Sequence, residues 1–300
     1  MSVVIANAKK SSRPRRKFRP AFVVMVVPMA CLFFFFHTYP FLKGVFYSFT
    51  NWQGYGAWRF TGLKNYLWVF TDPGTRQAYI FTFKFAVIAT VLTNVLGLLL
   101  ALGLNAKIKY KSFLRATFVL PWVLSSIVVS FMWKFIIGTL LPQWGQTLNI
   151  SALSTSVLGT ENSWLGPLFV CVWSSLAFTS LIYISGLQTI DVEVHEAAEI
   201  DGATGWKKFR SIIFPLIIPF FTINVVLSFK NYMGVFDQIL AMTNGGPGNA
   251  STSVTMEIYR AFDGGAFDVQ QANSVVLFLI IAIITLVYLW VSDRHEKQAS

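Results

Sequence analysis

The chain has little charge. Asp, Glu, Lys and Arg make up 12% of its 300 residues, about half the share of an ordinary soluble domain. Hydrophobic residues reach 55% and mean hydropathy is +0.58, so a soluble class is excluded and a membrane class expected. Cysteine is nearly absent. Cys31 and Cys171 both sit in apolar runs, which argues against a disulfide framework or a cysteine metal site. The histidines His37, His195 and His295 are scattered and make no ligand cluster. No Gly-x-x-x-x-Gly-Lys-Ser/Thr occurs, so no ATP is expected in a phosphate loop of this chain. His-Glu-x-x-His is missing, and so is an Asp/Glu pair within an apolar run that would couple proton movement. These absences argue against an enzyme. A transporter without an energy source of its own needs a partner that has one.

What the chain does have is apolar length. Six runs cover Ala21–Phe41, Tyr79–Leu104, Ala116–Ile137, Trp164–Leu187, Ile213–Met233 and Ser274–Val291. Each approaches the ~20 residues that cross a hydrocarbon core. Lipid offers no water to backbone N–H and C=O groups, and the runs are continuous rather than alternating, so they are expected to be helices. The expected fold is an all-α membrane protein with six transmembrane helices. Its parts are a basic tail over 1–20, a six-span domain over 21–292 and a short tail over 293–300. The first run ends His37-Thr38-Tyr39-Pro40 without a small-x-small cleavage pattern, so it reads as a retained span. Trp52, Trp58 and Trp68 in the following polar stretch suit a membrane interface.

Net charge is +11, and its placement matters more than its size. Seven bases fall within Lys9–Arg19, beside the first run. Such a flank suits anionic membrane lipid rather than nucleic acid, since no folded basic domain follows. Segments on the N-terminal side of the membrane carry 16 Lys and Arg, and the opposite loops carry 5. By the positive-inside rule both termini and the loop 188–212 are cytoplasmic.

That loop is the most polar block between two spans. Asp191–Arg210 holds five acids and three bases. Glu193, Glu196 and Glu199 recur every three residues, near one helix face. Asp201-Gly202 is a turn signal, and Trp206, Phe209, Ile212 and Ile213 then repeat at helical spacing. The block reads as helix, tight turn and short amphipathic helix, with Pro215 expected to separate it from the fifth span.

The order Glu196-Ala197-Ala198, Gly202, Ile212 and Phe214-Pro215 resembles the EAA loop of ABC-importer permeases, with Phe214 where that family usually has Leu. The surrounding Asp201-Gly202-Ala203 looks like the carbohydrate-importer version. Thr243-Asn244-Gly245-Gly246-Pro247 is similar to a Thr-x-Gly-Gly-Pro loop of maltose-permease-like first subunits. The resemblance implies a permease subunit of a bacterial inner-membrane sugar or oligosaccharide importer. It implies as partners a second permease, a dimer of ATP-binding-cassette ATPases and an extracytoplasmic solute-binding protein. ATP and Mg would be held by the partner ATPase and no cofactor by this chain. ATPase coupling would fall to Glu196, Ala197, Ala198, Asp201, Gly202, Phe209, Ile212 and Pro215.

Polar groups within a span usually face protein or a water-filled cavity. Ser228, Lys230, Asn231 and Tyr232 stand toward the extracytoplasmic half of the fifth span, where the alternatives are a solute path and packing against the second permease. The resemblance adds Ser174, Ser175 and Phe178 of the fourth span to the path, with Ser228 and Tyr232. Lys84 and Lys134 lie near the outer ends of their spans, where snorkelling suffices, and Trp173 fits packing. Two other classes remain open: an ion-gradient-driven secondary transporter and a membrane-embedded structural or enzymatic subunit.

Overall fold

The computed structural model describes residues 20–106 and 109–299. The basic tail lies outside these residues, so its expected role is not addressed by the structure. Six helices are long and apolar enough to cross a membrane: Val24–Tyr47, Pro73–Asn105, Ser126–Thr147, Leu165–Gln188, Gly205–Met233 and Phe267–Ser292. Among the described residues the only β pairing is an isolated bridge between Thr50 and Phe60. The chain divides into two units, residues 1–46 and 47–300. The first contributes a helix from Pro20 to Phe33, continued by a π turn over Phe34–Thr38. All that follows concerns the second unit unless stated.

Two spans differ from their expected form. The third was expected over Ala116–Ile137 but starts at Ser126, and Lys111–Val123 forms a separate helix before it. Leu124 is extended, with φ −75° and ψ 150°, and Pro121 three residues earlier lacks the N–H that would tie this turn to the one before. Hydropathy is blind to the break because both sides are apolar. The fifth span differs in the opposite sense. Pro215 does not separate the amphipathic helix from the span; Gly205–Met233 is one continuous helix.

The reason is a π turn. Phe209–Ile213 is wound as a π helix, and the N–H of Phe214 donates to the carbonyl of Phe209 five residues back. In a regular helix the ring of Pro215 would collide with the carbonyl four residues earlier and leave it unpaired. A single wide turn moves that carbonyl aside while keeping the helix axis. The same device appears at Phe34–Thr38 ahead of Pro40, within the first unit, and at Ile136–Leu140 ahead of Pro142. All three π turns among the described residues end two positions before a proline. Here proline marks a widened turn rather than a stop.

The core is the second, fourth and fifth spans packed together. Phe85, Ala86 and Ala89 meet Leu168, Cys171 and Val172, with Tyr232 and Met233 closing the cluster. Small residues let the backbones approach, as is usual where lipid supplies no hydrophobic drive between helices. A Cβ on Gly97 would stand 2.7 Å from Cγ2 of Thr179, and one on Gly186 would stand 2.6 Å from the ring of Phe220. Polar pairs cross the same seams. Tyr183 Oη donates to Asn94 Oδ1 at 2.7 Å, and Asn224 Nδ2 donates to the Thr179 carbonyl at 3.2 Å. Near this end Leu104, Leu114, Leu187, Ile190, Ile213 and Ile217 gather in one cluster. The loop 188–212 therefore lies at the same end of the bundle as the junction between the second and third spans.

Candidate functional site

The polar block folds as its pattern predicts. Val192–Ile200 is a helix, and the turn after it is closed by the N–H of Gly202 on the Glu199 carbonyl at 3.1 Å and of Ala203 on Ala198 at 2.8 Å. Gly202 has φ +69°, while a Cβ there would meet nothing within 4 Å. Glycine is needed at this position for its backbone conformation, not for space. Lys208 Nζ then donates to Glu199 Oε1 at 3.0 Å and to the His195 carbonyl at 3.1 Å, holding the two helices as one elbow.

Ala198 and Ala203 are buried, and they seat the elbow. Glu196, Ala197, Asp201, Gly202 and Pro215 are exposed, and Phe209 and Ile212 are half-buried. Three apolar side chains are also left open: Ile200 is 86% exposed, Trp206 71% and Val192 69%. Trp206 entered the sequence reading only as part of the helical repeat, and Ile200 and Val192 were not among the candidates drawn from the sequence. Their signal was there, as bulky aliphatics inside a charged loop, but one residue at a time it resembles ordinary helix filling.

A second feature is a cavity of about 400 Å³. Its wall is built where the third span breaks, beside the middle of the fourth span and the end of the fifth. Of the residues proposed for a solute path, Ser174, Ser175, Asn231 and Tyr232 line it. Tyr232 turns its hydroxyl inward: it is 4% exposed, and its Oη lies 2.6 Å from Thr93 Oγ1. Phe178 is outside the lining but stacks on Trp122, with ring centroids 5.2 Å apart and planes at 15°, and Trp122 does line the cavity. Ser228 is buried in the span and is not part of the wall.

Among the lining residues that were not foreseen are Trp122, Ser126, Asp237 and Gln238. Asp237–Met242 is a short helix after the fifth span. Gln238 Nε2 donates to Ser126 Oγ at 2.8 Å, joining this helix to the start of the third span. Lys134 Nζ ties the same two elements by donating to the Ala241 carbonyl at 3.1 Å. It therefore has a specific acceptor, beyond the snorkelling expected for it. Lys84 lies over the Trp164 ring at 5.1 Å.

Past the short helix, the Thr-Asn-Gly-Gly-Pro loop is closed by side chains. Ser163 Oγ donates to the Gly246 carbonyl at 2.8 Å and Ser251 Oγ to Thr243 Oγ1 at 2.8 Å, while Arg260 reaches the Asn244 carbonyl. Gly245 has φ +76°, and a Cβ on it would stand 2.7 Å from Thr252 Oγ1. Both conformation and space demand glycine there. Beyond the loop, Thr75 Oγ1 donates to Glu257 Oε1 at 2.6 Å. Burial, with a smaller push from Asp72, raises the Glu257 carboxyl above its ordinary range, and the bond from Thr75 only partly offsets this.

Six helices long and apolar enough to cross a membrane, with an exposed elbow at one end of the second unit and a cavity within it, define a class, that of multi-pass membrane transport subunits. The chain belongs to the family of binding-protein-dependent transport system inner membrane components, whose model matches residues 93–299. It is 38% identical over 275 residues to the multiple sugar-binding transport system permease protein MsmF of Streptococcus mutans, covering 91% of this chain and 94% of that protein. It is 36% identical over 260 residues to the probable starch degradation products transport system permease protein AmyD of Thermoanaerobacterium thermosulfurigenes, covering 86% and 89%. Its fold matches a chain of a bacterial ABC transporter involved in the import of the acidic polysaccharide alginate. That match has a TM-score of 0.77 and 19% identity over 91% of this chain and 95% of the other.

Proposed function

We propose that this chain is one of two permeases enclosing the path of an ATP-driven sugar or oligosaccharide importer, and that the elbow Val192–Lys208 is its docking element for the ATPase. One observation carries the proposal. Ile200, Trp206 and Val192 are open to solvent on a loop otherwise rich in charge, and aromatic and aliphatic anchors of this kind acquire their binding energy by entering a partner's groove. The membership established above supplies the solute-binding protein, and the sugar permeases among the relatives supply the substrate class. ATP and Mg would be bound by the partner. Both termini and the elbow would face the cytoplasm, following the excess of bases on that side.

The continuous helix gives the coupling a mechanical basis. Gly205–Met233 runs unbroken from Trp206 in the elbow to Asn231 and Tyr232 beside the cavity. At 1.5 Å per residue the rod is about 43 Å long. When ATP draws the ATPase subunits together, an elbow seated in their groove moves with them. The rod carries that displacement to the cavity wall, exchanging inward- and outward-open states. Had Pro215 broken the helix, the motion would be absorbed at the joint.

The test is solute uptake by the complete importer in proteoliposomes, with Gly202→Val and Glu196→Ala in this chain. Both variants are expected to insert and assemble while uptake falls about tenfold or more, the equivalent of ~1.4 kcal/mol of lost coupling. Unchanged uptake in both would overturn the coupling role. Uptake that survives loss of the ATPase but collapses with the ion gradient would instead establish a secondary transporter.

A further inference from the structure

The cavity has polar walls, yet Asp237 is the one charged side chain among its described lining residues. No described cation pairs with it: the only side-chain ion pair among the described residues is Lys208–Glu199, in the elbow. None of the three lysines within the six apolar runs lines the cavity. Lys134 is bonded to the Ala241 carbonyl, Lys84 lies over Trp164, and Lys230 is exposed without lining the cavity. The remaining lining mixes hydroxyl, amide and aromatic groups with Pro121, Leu124, Cys171, Gly234 and Val235. Ser174, Ser175 and Asn231 line it together, the Gln238 amide is fixed on Ser126, and Trp122 stacks on Phe178.

We infer that Asp237 makes this wall of the path selective by charge, admitting neutral polyhydroxy solutes and turning away anionic ones such as sugar phosphates and uronates. A carboxylate accepts hydrogen bonds from sugar hydroxyls, which are donors. Aromatic rings offer a flat apolar surface to the C–H face of a pyranose, and the serine and amide groups satisfy its other hydroxyls. A phosphate or uronate finds no cation to pair with and meets a like charge in a confined space with low-dielectric walls, where repulsion is focused rather than screened. The inference deepens the proposed function, resting on the cavity being part of the solute path. It would leave solute discrimination divided between the binding protein and the membrane path.

The experiment reads the charge of the cavity directly. Ser174→Cys is introduced together with Cys31→Ser and Cys171→Ala in the full chain, since Cys171 is a free thiol in the same lining; the importer is assembled with its partners in membrane vesicles, and labelling is followed with two methanethiosulfonates. One carries a trimethylammonium group and the other a sulfonate. Each rate is divided by that for a free thiol in solution. The cationic reagent should be favoured by about tenfold, the lower end of field-focusing effects. Asp237→Asn should bring the ratio close to one, and Asp237→Lys should invert it. A ratio near one in the parent, a ratio indifferent to Asp237→Asn, or no labelling by either reagent would overturn the inference. The labelling ratio needs no transport, so its failure is separable from that of the proposed function, which is judged by ATP-dependent uptake alone.

Discussion

The two ends of the second unit are built on opposite plans. At the end carrying Val192–Lys208, a backbone-closed turn and one lysine hold an elbow whose bulky apolar residues are uncovered. At the other end the loops are closed by their own side chains. Ser163 holds Gly246, Thr82 Oγ1 accepts the N–H of Val254 at 2.9 Å, Ser253 Oγ donates to the Val235 carbonyl at 2.8 Å, and Tyr79 Oη donates to Asn273 Oδ1 at 2.8 Å. The contrast separates two tasks. On the proposed function one end is completed by a partner, whereas the other fixes the geometry of the cavity from within. Substitutions at the first should break assembly or coupling while the chain stays folded. Substitutions at the second should damage the fold before they touch the partner.

The largest effect is expected at the open end. Ile200→Asp places a charge in the proposed docking face, and Trp206→Ala removes its aromatic anchor. Each should weaken ATPase association by ~2 kcal/mol or more, about thirtyfold, measured by titrating the ATPase onto the detergent-solubilised permease. The thermal transition of the permease alone should stay in place; a transition lowered by several degrees would show that these side chains belong to the fold instead.

Next comes the seam between the ends. Gly97→Val puts atoms where Thr179 already stands and should destabilise the bundle by ~1–3 kcal/mol. Pairing it with Thr179→Ala should recover part of the loss, read as thermal stability in detergent. No recovery in the double variant would mean that the helices are not held at this crossing.

At the closed end, Thr82→Val leaves the buried N–H of Val254 without its acceptor. The expected cost is ~1–3 kcal/mol in stability, with ATPase affinity unchanged. Loss of affinity alone would erase the distinction between the two ends.

The smallest effect is a pH dependence at Glu257. Its folded value is raised above the ordinary 4.5, so the folded state holds this proton more tightly than the unfolded chain. Its contribution is fully present below that ordinary value and is lost as pH rises through the raised one. Apparent melting temperature should therefore fall as pH rises from about the ordinary value of 4.5, and Glu257→Gln should flatten that slope. An equal slope in both proteins would assign the dependence to other groups.

Much of this plan was legible in advance. Apolar runs long enough to cross a bilayer, bases gathered on one side, and a charged block between the fourth and fifth runs are local properties of the chain, and lipid leaves an apolar run little choice but helix. The turn at Gly202 and the helices flanking it were readable for the same reason, being set by residues within a few positions of one another. Asn231 and Tyr232 were expected near a cavity because intramembrane polar groups have few other destinations, whereas Ser174 and Ser175 were expected there from the family resemblance.

Tertiary structure decided the rest. Whether Pro215 stops a helix or is absorbed by a π turn depends on whether the span beyond it is held in line, here by packing of Phe214 and Ile217 in the cluster at that end. The cavity gains Trp122 and Ser126 because the third span breaks at Leu124, and gains Asp237 and Gln238 because a short helix folds back against that break. Those four residues come from segments more than a hundred positions apart. No local pattern marks them as neighbours, since only helix packing brings their surfaces together. The sequence alone determined that six segments are long and apolar enough to cross a membrane and that a charged block with a glycine turn stands between the fourth and fifth. Tertiary packing determined which side chains share the cavity and whether the elbow is rigidly joined to it.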